Sequence, residues 1–109
     1  MKSPRAWLAA IMIAGAALRL WGIAQPNLHQ WDERFHALVA KNIAQKSWVP
    51  MLYTDPLPGY DAANWQGNHV WLHKPPLGLW LGGACMKLFG VRPWSYRLPG
   101  FVFGTLSIL

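Results

Sequence analysis

Cysteine, charge and carboxylates are all scarce in this chain. Cys85 is the single cysteine, so no internal disulfide can staple the fold. Its apolar neighbourhood suits a small buried or lipid-facing residue rather than a reactive thiol. Charged residues make up 13% of 109 residues against 53% hydrophobic, which is more apolar than an ordinary soluble domain. No repeat or low-complexity segment appears. The four carboxylates are Asp32, Glu33, Asp55 and Asp61, and they leave a net charge of +6. Such an excess can mark a nucleic-acid binder, but its placement argues otherwise. Lys2 and Arg5 precede the first apolar run, and Lys87, Arg92 and Arg97 lie in or after the second. Residues 25–75 between them hold four acids and four bases (Arg34, Lys41, Lys46, Lys74). A neutral middle between basic ends is a membrane-topology pattern, not a nucleic-acid stripe.

What the chain does have is tryptophan, eight of them, a residue that gathers where lipid meets water. Ala6–Ala24 is an apolar run interrupted only by Arg19, with Trp7 and Trp21 near its ends. As a helix it would rise roughly 28 Å, close to the hydrocarbon thickness of about 30 Å. Arg19 near the outer end can snorkel or pair with a carboxylate. A signal peptide cleaved after Gly22-Ile23-Ala24 competes with an uncleaved span on this segment alone. The membrane character of the rest of the chain favours the uncleaved helix.

The spacing predicts an amphipathic helix over Asp32–Gln45, with Phe35, Leu38, Val39 and Ile43 on one face, lying along the interface. Pro50, Pro56, Pro58 and Gly59 break any continuation. Leu77–Phe89 is a second apolar run of thirteen residues that contains Lys87, as suited by length to a re-entrant or packed helix as to a span, and Gly78/Gly82 and Gly100/Gly104 are spaced for close helix contact or for flexibility. A further apolar helix begins after Pro99. The expected organisation is a first transmembrane helix over 1–24, an outer loop over 25–75, and a second transmembrane helix over 76–91. A cytoplasmic turn and the start of a third span follow over 92–109. The fold class is an all-α membrane protein with one full span, interfacial helices and one or two partial spans.

Two places carry candidate chemistry. Asp32 and Glu33 are adjacent, so on a helix they point about 100° apart and only one can face a given atom. The other can pair with a base, or Asp32 can cap the helix while Glu33 complements its dipole. Lys74 precedes Pro75-Pro76, which restrict the backbone and place the cation at a helix start, a position suited to phosphate. A cation snorkelling at the membrane boundary is the plainer reading of the same residue. Carboxylates and a cation on one side of a membrane suggest chemistry on a membrane-bound anionic substrate. His29/His36 and His69/His73 have ligand-like spacings, yet no third ligand completes a metal site.

The ordered series Arg19-Leu20, Asp32-Glu33, Ser47-Trp48-Val49-Pro50, Lys74-Pro75-Pro76-Leu77, Trp80-Leu81, Lys87-Leu88-Phe89-Gly90 and Arg97-Leu98-Pro99 resembles a known family. It is similar to the amino-terminal part of polyprenyl-phosphate-sugar-dependent glycosyltransferases, the family 39 protein mannosyltransferases and the aminoarabinose transferases of lipid A. The resemblance implies a multi-pass GT-C enzyme of the bacterial inner membrane, amino terminus cytoplasmic and residues 25–75 extracytoplasmic. It implies Asp32 as base, Glu33 as its companion and Lys74 as a contact to the donor phosphate, with no cofactor and no metal. Its partners would be the bilayer, the lipid-linked sugar donor and an acceptor protein, lipid A or glycan. Family members often carry a tyrosine in the turn after the acidic pair, where this chain has Phe35 and His36. They are also several times longer, so this chain is expected to be an inactive fragment on its own. The alternatives are a small non-enzymatic Trp-rich membrane protein that binds a lipid or protein partner, and a secreted module released at Ala24.

Overall fold

The computed structural model describes residues 3–55, 61, 63–64, 66 and 68–109. Lys2, Pro56, Pro58 and Gly59 lie outside the described residues. Four helices form among those described: α1 (Pro4–Ile23), α2 (Asp32–Gln45), α3 (Pro76–Phe89) and α4 (Pro93–Leu106). No strand occurs among them beyond one isolated antiparallel bridge, Met51 to Val70. The class is all-α, with α1 long and apolar enough to cross a membrane.

Proline sets three of the helix starts. Pro4, Pro76 and Pro93 each occupy the first helical position, where a missing N–H costs no intrahelical bond. Ser3 caps α1 by accepting from the Ala6 amide. The link between α3 and α4 is three residues long. Gly90, at φ 92°, supplies a left-handed conformation that ends α3. The buried Ser95 hydroxyl accepts from the Arg92 amide and lies 2.6 Å from the Gly90 carbonyl and 2.8 Å from that of Arg92. Helix α4 therefore begins at Pro93 and runs through Pro99, which was expected to precede a helix. Pro99 removes one backbone donor, but the first turn is already anchored by Ser95.

The core surrounds α2. Val39, Ile43, Leu52, Trp71 and Leu79 form one buried cluster, and Ala37, Ala40 and Met86 another. Helix α2 is thus covered on two sides, by the 47–52 and 68–71 segments and by α3. Leu38, expected on the buried face with Val39, is exposed, because Ala37 and Ala40 take the second contact face instead. Small residues permit that contact. A Cβ on Gly83 would lie 2.6 Å from Ile43 Cγ2, and one on Gly82 would lie 2.8 Å from the Tyr96 ring. Gly78 and Gly100 face open space, so the close approach uses Gly82 with Gly83, and separately Gly104.

Helix α4 runs back along α1. Arg97 in its second turn reaches the Gly22 carbonyl at the end of α1. Further on, Gly104 lies against the Arg19 side chain, and Ile108 against Gly15. The two helices are antiparallel, and α4 starts at the end where α1 stops. The first turn of α4 thus stands beside the last turn of α1. At 14 residues α3 is about 21 Å long, short of a roughly 30 Å hydrocarbon core. Its Leu79, Gly82, Gly83 and Met86 are buried against protein, which uses the surface a spanning helix would show to lipid. Arg19 likewise departs from both expected roles. Its Nη1 donates to the Gly15 carbonyl one turn back (3.2 Å), and its stem fills the space over Gly104.

Candidate functional site

Asp32 is the first residue of α2 and Glu33 the second, each beside the positive end of the helix. The residue at the cap position is Trp31, which makes no side-chain cap bond, so neither carboxylate is the cap. Trp31 sits at φ 66° and ψ −117°, the one non-glycine with positive φ among the described residues. A bulky residue held there is strained by about 1–3 kcal/mol, and the surrounding contacts must maintain it.

Glu33, two residues on, is held on both carboxylate oxygens. Its Oε1 accepts from Arg97 Nε at 2.5 Å and its Oε2 from Arg97 Nη2 at 3.1 Å, a bidentate pair. Oε2 also accepts from the His29 amide. The rest of the Arg97 fork binds carbonyls: Nη1 to Gln25 at 2.7 Å and Gly22 at 3.4 Å, Nη2 to Asn27 at 2.8 Å. All five guanidinium donors are used, which ties α4, the end of α1, the 25–29 segment and α2 together. The Arg97 bond holds the Glu33 carboxyl below the usual carboxylate range, against a smaller opposing effect of burial. Glu33 is fully engaged. Asp32, one residue earlier, is exposed and forms no hydrogen bond or ion pair with any described residue.

The other half of the site depends on Asn42. This buried amide in α2 donates from Nδ2 to the carbonyls of Met51 (2.8 Å) and Leu52 (3.1 Å). Leu52 then donates to the His69 carbonyl and Trp71 to the Pro50 carbonyl, so the two loop segments close against α2. Asn68 and Asp61 exchange side-chain and backbone bonds at the base of the intervening loop. Trp80 Nε1 donates to the Trp48 carbonyl across to α3 (2.8 Å). The result places Trp71 between Phe35, His36 and His73. Its ring centroid is 6.1 Å from that of Phe35, 5.9 Å from His36 and 5.6 Å from His73. Lys74 follows directly.

His36 is the residue on which these pieces converge. Burial pushes its imidazole below the usual histidine range, while Asp32 raises it and Lys74 and His73 lower it. Asp32 lies one helical turn before His36 on α2, and Lys74 lines the same cavity as His36. The Nε2 atom is buried and has no hydrogen-bond partner among the described residues. His36 and Lys74 line a cavity of about 500 Å³ with Pro75, Leu79, Tyr96 and Phe103. Lys74 and Pro75 also line a second cavity of about 480 Å³, walled by Val49, Trp71 and Trp80. Lys74 is exposed and stands between the two. Among the described residues no three His, Cys, Asp or Glu side chains gather as a metal site.

No family model, curated protein or solved structure matches this chain.

The sequence named Asp32, Glu33 and Lys74. The structure puts Lys74 and His36 in the lining of one cavity, leaves Asp32 exposed one turn before His36, and turns Glu33 towards Arg97. His36 and Arg97 carried no role in the sequence reading beyond a spacing and a motif. A lone arginine on a helix otherwise free of charge, with a carboxylate elsewhere to receive it, is the signal that could have marked Arg97. His36 follows Asp32 by four residues and so shares its face of α2, a relation visible in the spacing.

Proposed function

We propose that this chain carries the acidic and basic half of the active site of a membrane glycosyltransferase that uses a polyprenyl-phosphate-linked sugar. The observation that carries this reading is a cavity of about 500 Å³ lined by His36, Lys74 and Arg97, with Asp32 one helical turn before His36 on α2. The order of motifs along the chain, which resembles family 39 and aminoarabinose transferases, supports it independently.

In this reading α1 is a membrane-crossing helix of a multi-pass GT-C fold, and α4, at 14 residues as short as α3, packs antiparallel against it. Helices α2 and α3 lie at the outer surface, and the amino terminus is cytoplasmic. The sugar sits at the mouth of the cavity with its phosphate beside Lys74. Asp32 takes the proton from the acceptor hydroxyl as that oxygen attacks the anomeric carbon. The bond from the anomeric carbon to the phosphate oxygen breaks on the opposite side, which inverts the centre. The electron pair leaves with the phosphate, whose charge Lys74 offsets. Glu33 is a positioning residue: through Arg97 it holds the first turn of α2, and hence Asp32, in place. His36, kept neutral by burial, offers Nε2 to a hydroxyl or phosphate oxygen within the cavity.

The test is transfer from a defined polyprenyl-phosphate sugar by membranes containing the complete enzyme. Asp32→Asn is expected to lower turnover by about a hundredfold to ten-thousandfold while insertion is unchanged. Lys74→Ala is expected to lose donor binding. Full turnover by Asp32→Asn would remove Asp32 from the base role.

A further inference from the structure

The face of α2 that points away from Asp32 and His36 has a chemistry of its own. Arg34, Ala37, Leu38 and Lys41 fall within about 100° of one another around the helix, and Asp32 and His36 lie on the far side. This face borders a cavity of about 210 Å³ whose cations are Arg34, Lys41 and Arg92 and whose lining includes no carboxylate. Its floor is apolar, with Leu38, Met86 and Val91. None of the three cations forms an ion pair among the described residues, where the one ion pair is Glu33 with Arg97.

Pro93 is also part of a second cavity of about 590 Å³ between the last turn of α1 and the first turn of α4. That groove is walled by Leu20, Ile23, Ala24, Pro26 and Trp94, with no charged side chain. The cavity lined by the three cations therefore shares Pro93 with an apolar groove that begins at the last turn of the span-like helix α1. A free anion would use only the first of these features, and an uncharged hydrocarbon only the second. We propose that the junction of α1, α2 and α4 binds an anionic bilayer phospholipid. Its phosphate lies among Arg34, Lys41 and Arg92, and one acyl chain lies in the groove along Leu20, Ile23 and Trp94. The site faces away from the Asp32–Lys74 cavity and stands whether or not the chain takes part in glycosyl transfer.

Native mass spectrometry of the full chain released from detergent micelles tests this, titrated with phosphatidylglycerol or phosphatidylcholine of the same acyl chains. Phosphatidylglycerol is expected to stay bound at concentrations where phosphatidylcholine does not. Arg34→Gln/Lys41→Gln should weaken phosphatidylglycerol at least about tenfold and leave phosphatidylcholine unchanged. Lys46→Gln/Lys87→Gln, which removes the same charge outside the cavity, should bind phosphatidylglycerol as the parent does. Equal retention of the two lipids, or an equal loss in both double variants, overturns the proposal. So does displacement of the lipid by millimolar inorganic phosphate, which would mark a site for free anions. Circular dichroism checks that the helices persist; should the double variant lose them, Lys41→Gln alone decides by the same criterion.

Discussion

Arg97 on α4 grips Glu33 on α2 through two parallel bonds, across 64 residues of sequence, with side-chain exposures of 10% and 17%. The same guanidinium holds the carbonyls of Gly22, Gln25 and Asn27. Removing one partner of such a pair leaves a largely buried charge uncompensated. Arg97→Ala is expected to destabilise the fold by about 3 kcal/mol. Arg97→Lys should recover only part of that loss, since an ammonium cannot make the bidentate contact or reach all the carbonyls. Denaturant unfolding in micelles, followed by circular dichroism, measures both. A lysine variant of stability between alanine and arginine supports the fork geometry; a lysine as good as arginine speaks against it.

Two groups make stability depend on pH in separate windows. The His36 imidazole is depressed in the fold, so the unfolded chain binds its proton more readily. Stability from this group is full above the unfolded value of about 6.5 and falls as the pH drops below it. Glu33 is depressed as well, and its contribution is full above its ordinary value of 4.5 and is lost as the pH falls through the lower folded value. Thermal unfolding between pH 8 and pH 3 should therefore decline in two steps. His36→Asn should erase the upper step and Glu33→Gln the lower one. A single step that survives both substitutions would assign the pH dependence to other groups.

The glycines of α3 and α4 are not equivalent. Gly83→Ala places a methyl group 2.6 Å from Ile43 Cγ2 and 3.1 Å from the Ala40 carbonyl, and is expected to cost about 1–3 kcal/mol. Gly78→Ala and Gly100→Ala meet nothing within 4 Å and should stabilise by up to about 1 kcal/mol through helix propensity. Pairing Gly83→Ala with Ile43→Ala should cost less than the sum of the two, because Cγ2 is then absent and only the Cβ contact at 2.9 Å remains on residue 43. A double variant with strictly additive losses would place the cost of Gly83→Ala elsewhere.

Helix existence was legible because it rests on local pattern. The bounds Asp32–Gln45 follow from the acidic start and the apolar spacing, and α3 follows from an apolar run behind Pro75-Pro76. Helix α4 was misplaced because Pro99 reads as a break, whereas the start is set by Pro93 and by a serine hydroxyl folding back on the turn. The buried role of Asn42 was not legible either. An asparagine in the middle of a helix becomes a clamp only when a loop brings the Met51 and Leu52 carbonyls to it.

By itself the sequence determined what each segment is made of: an apolar helix of membrane length, an amphipathic helix headed by two carboxylates, and a lysine held by two prolines. Those are properties of residues within a few turns of one another, so composition and period suffice to read them. Only the tertiary structure decided that α4 returns along α1 from the same end, that Glu33 is taken by Arg97, and that Lys74 shares a cavity with His36. Each of these depends on contacts between segments distant in the chain, chosen by which small residues allow close approach and which buried polar groups need a partner.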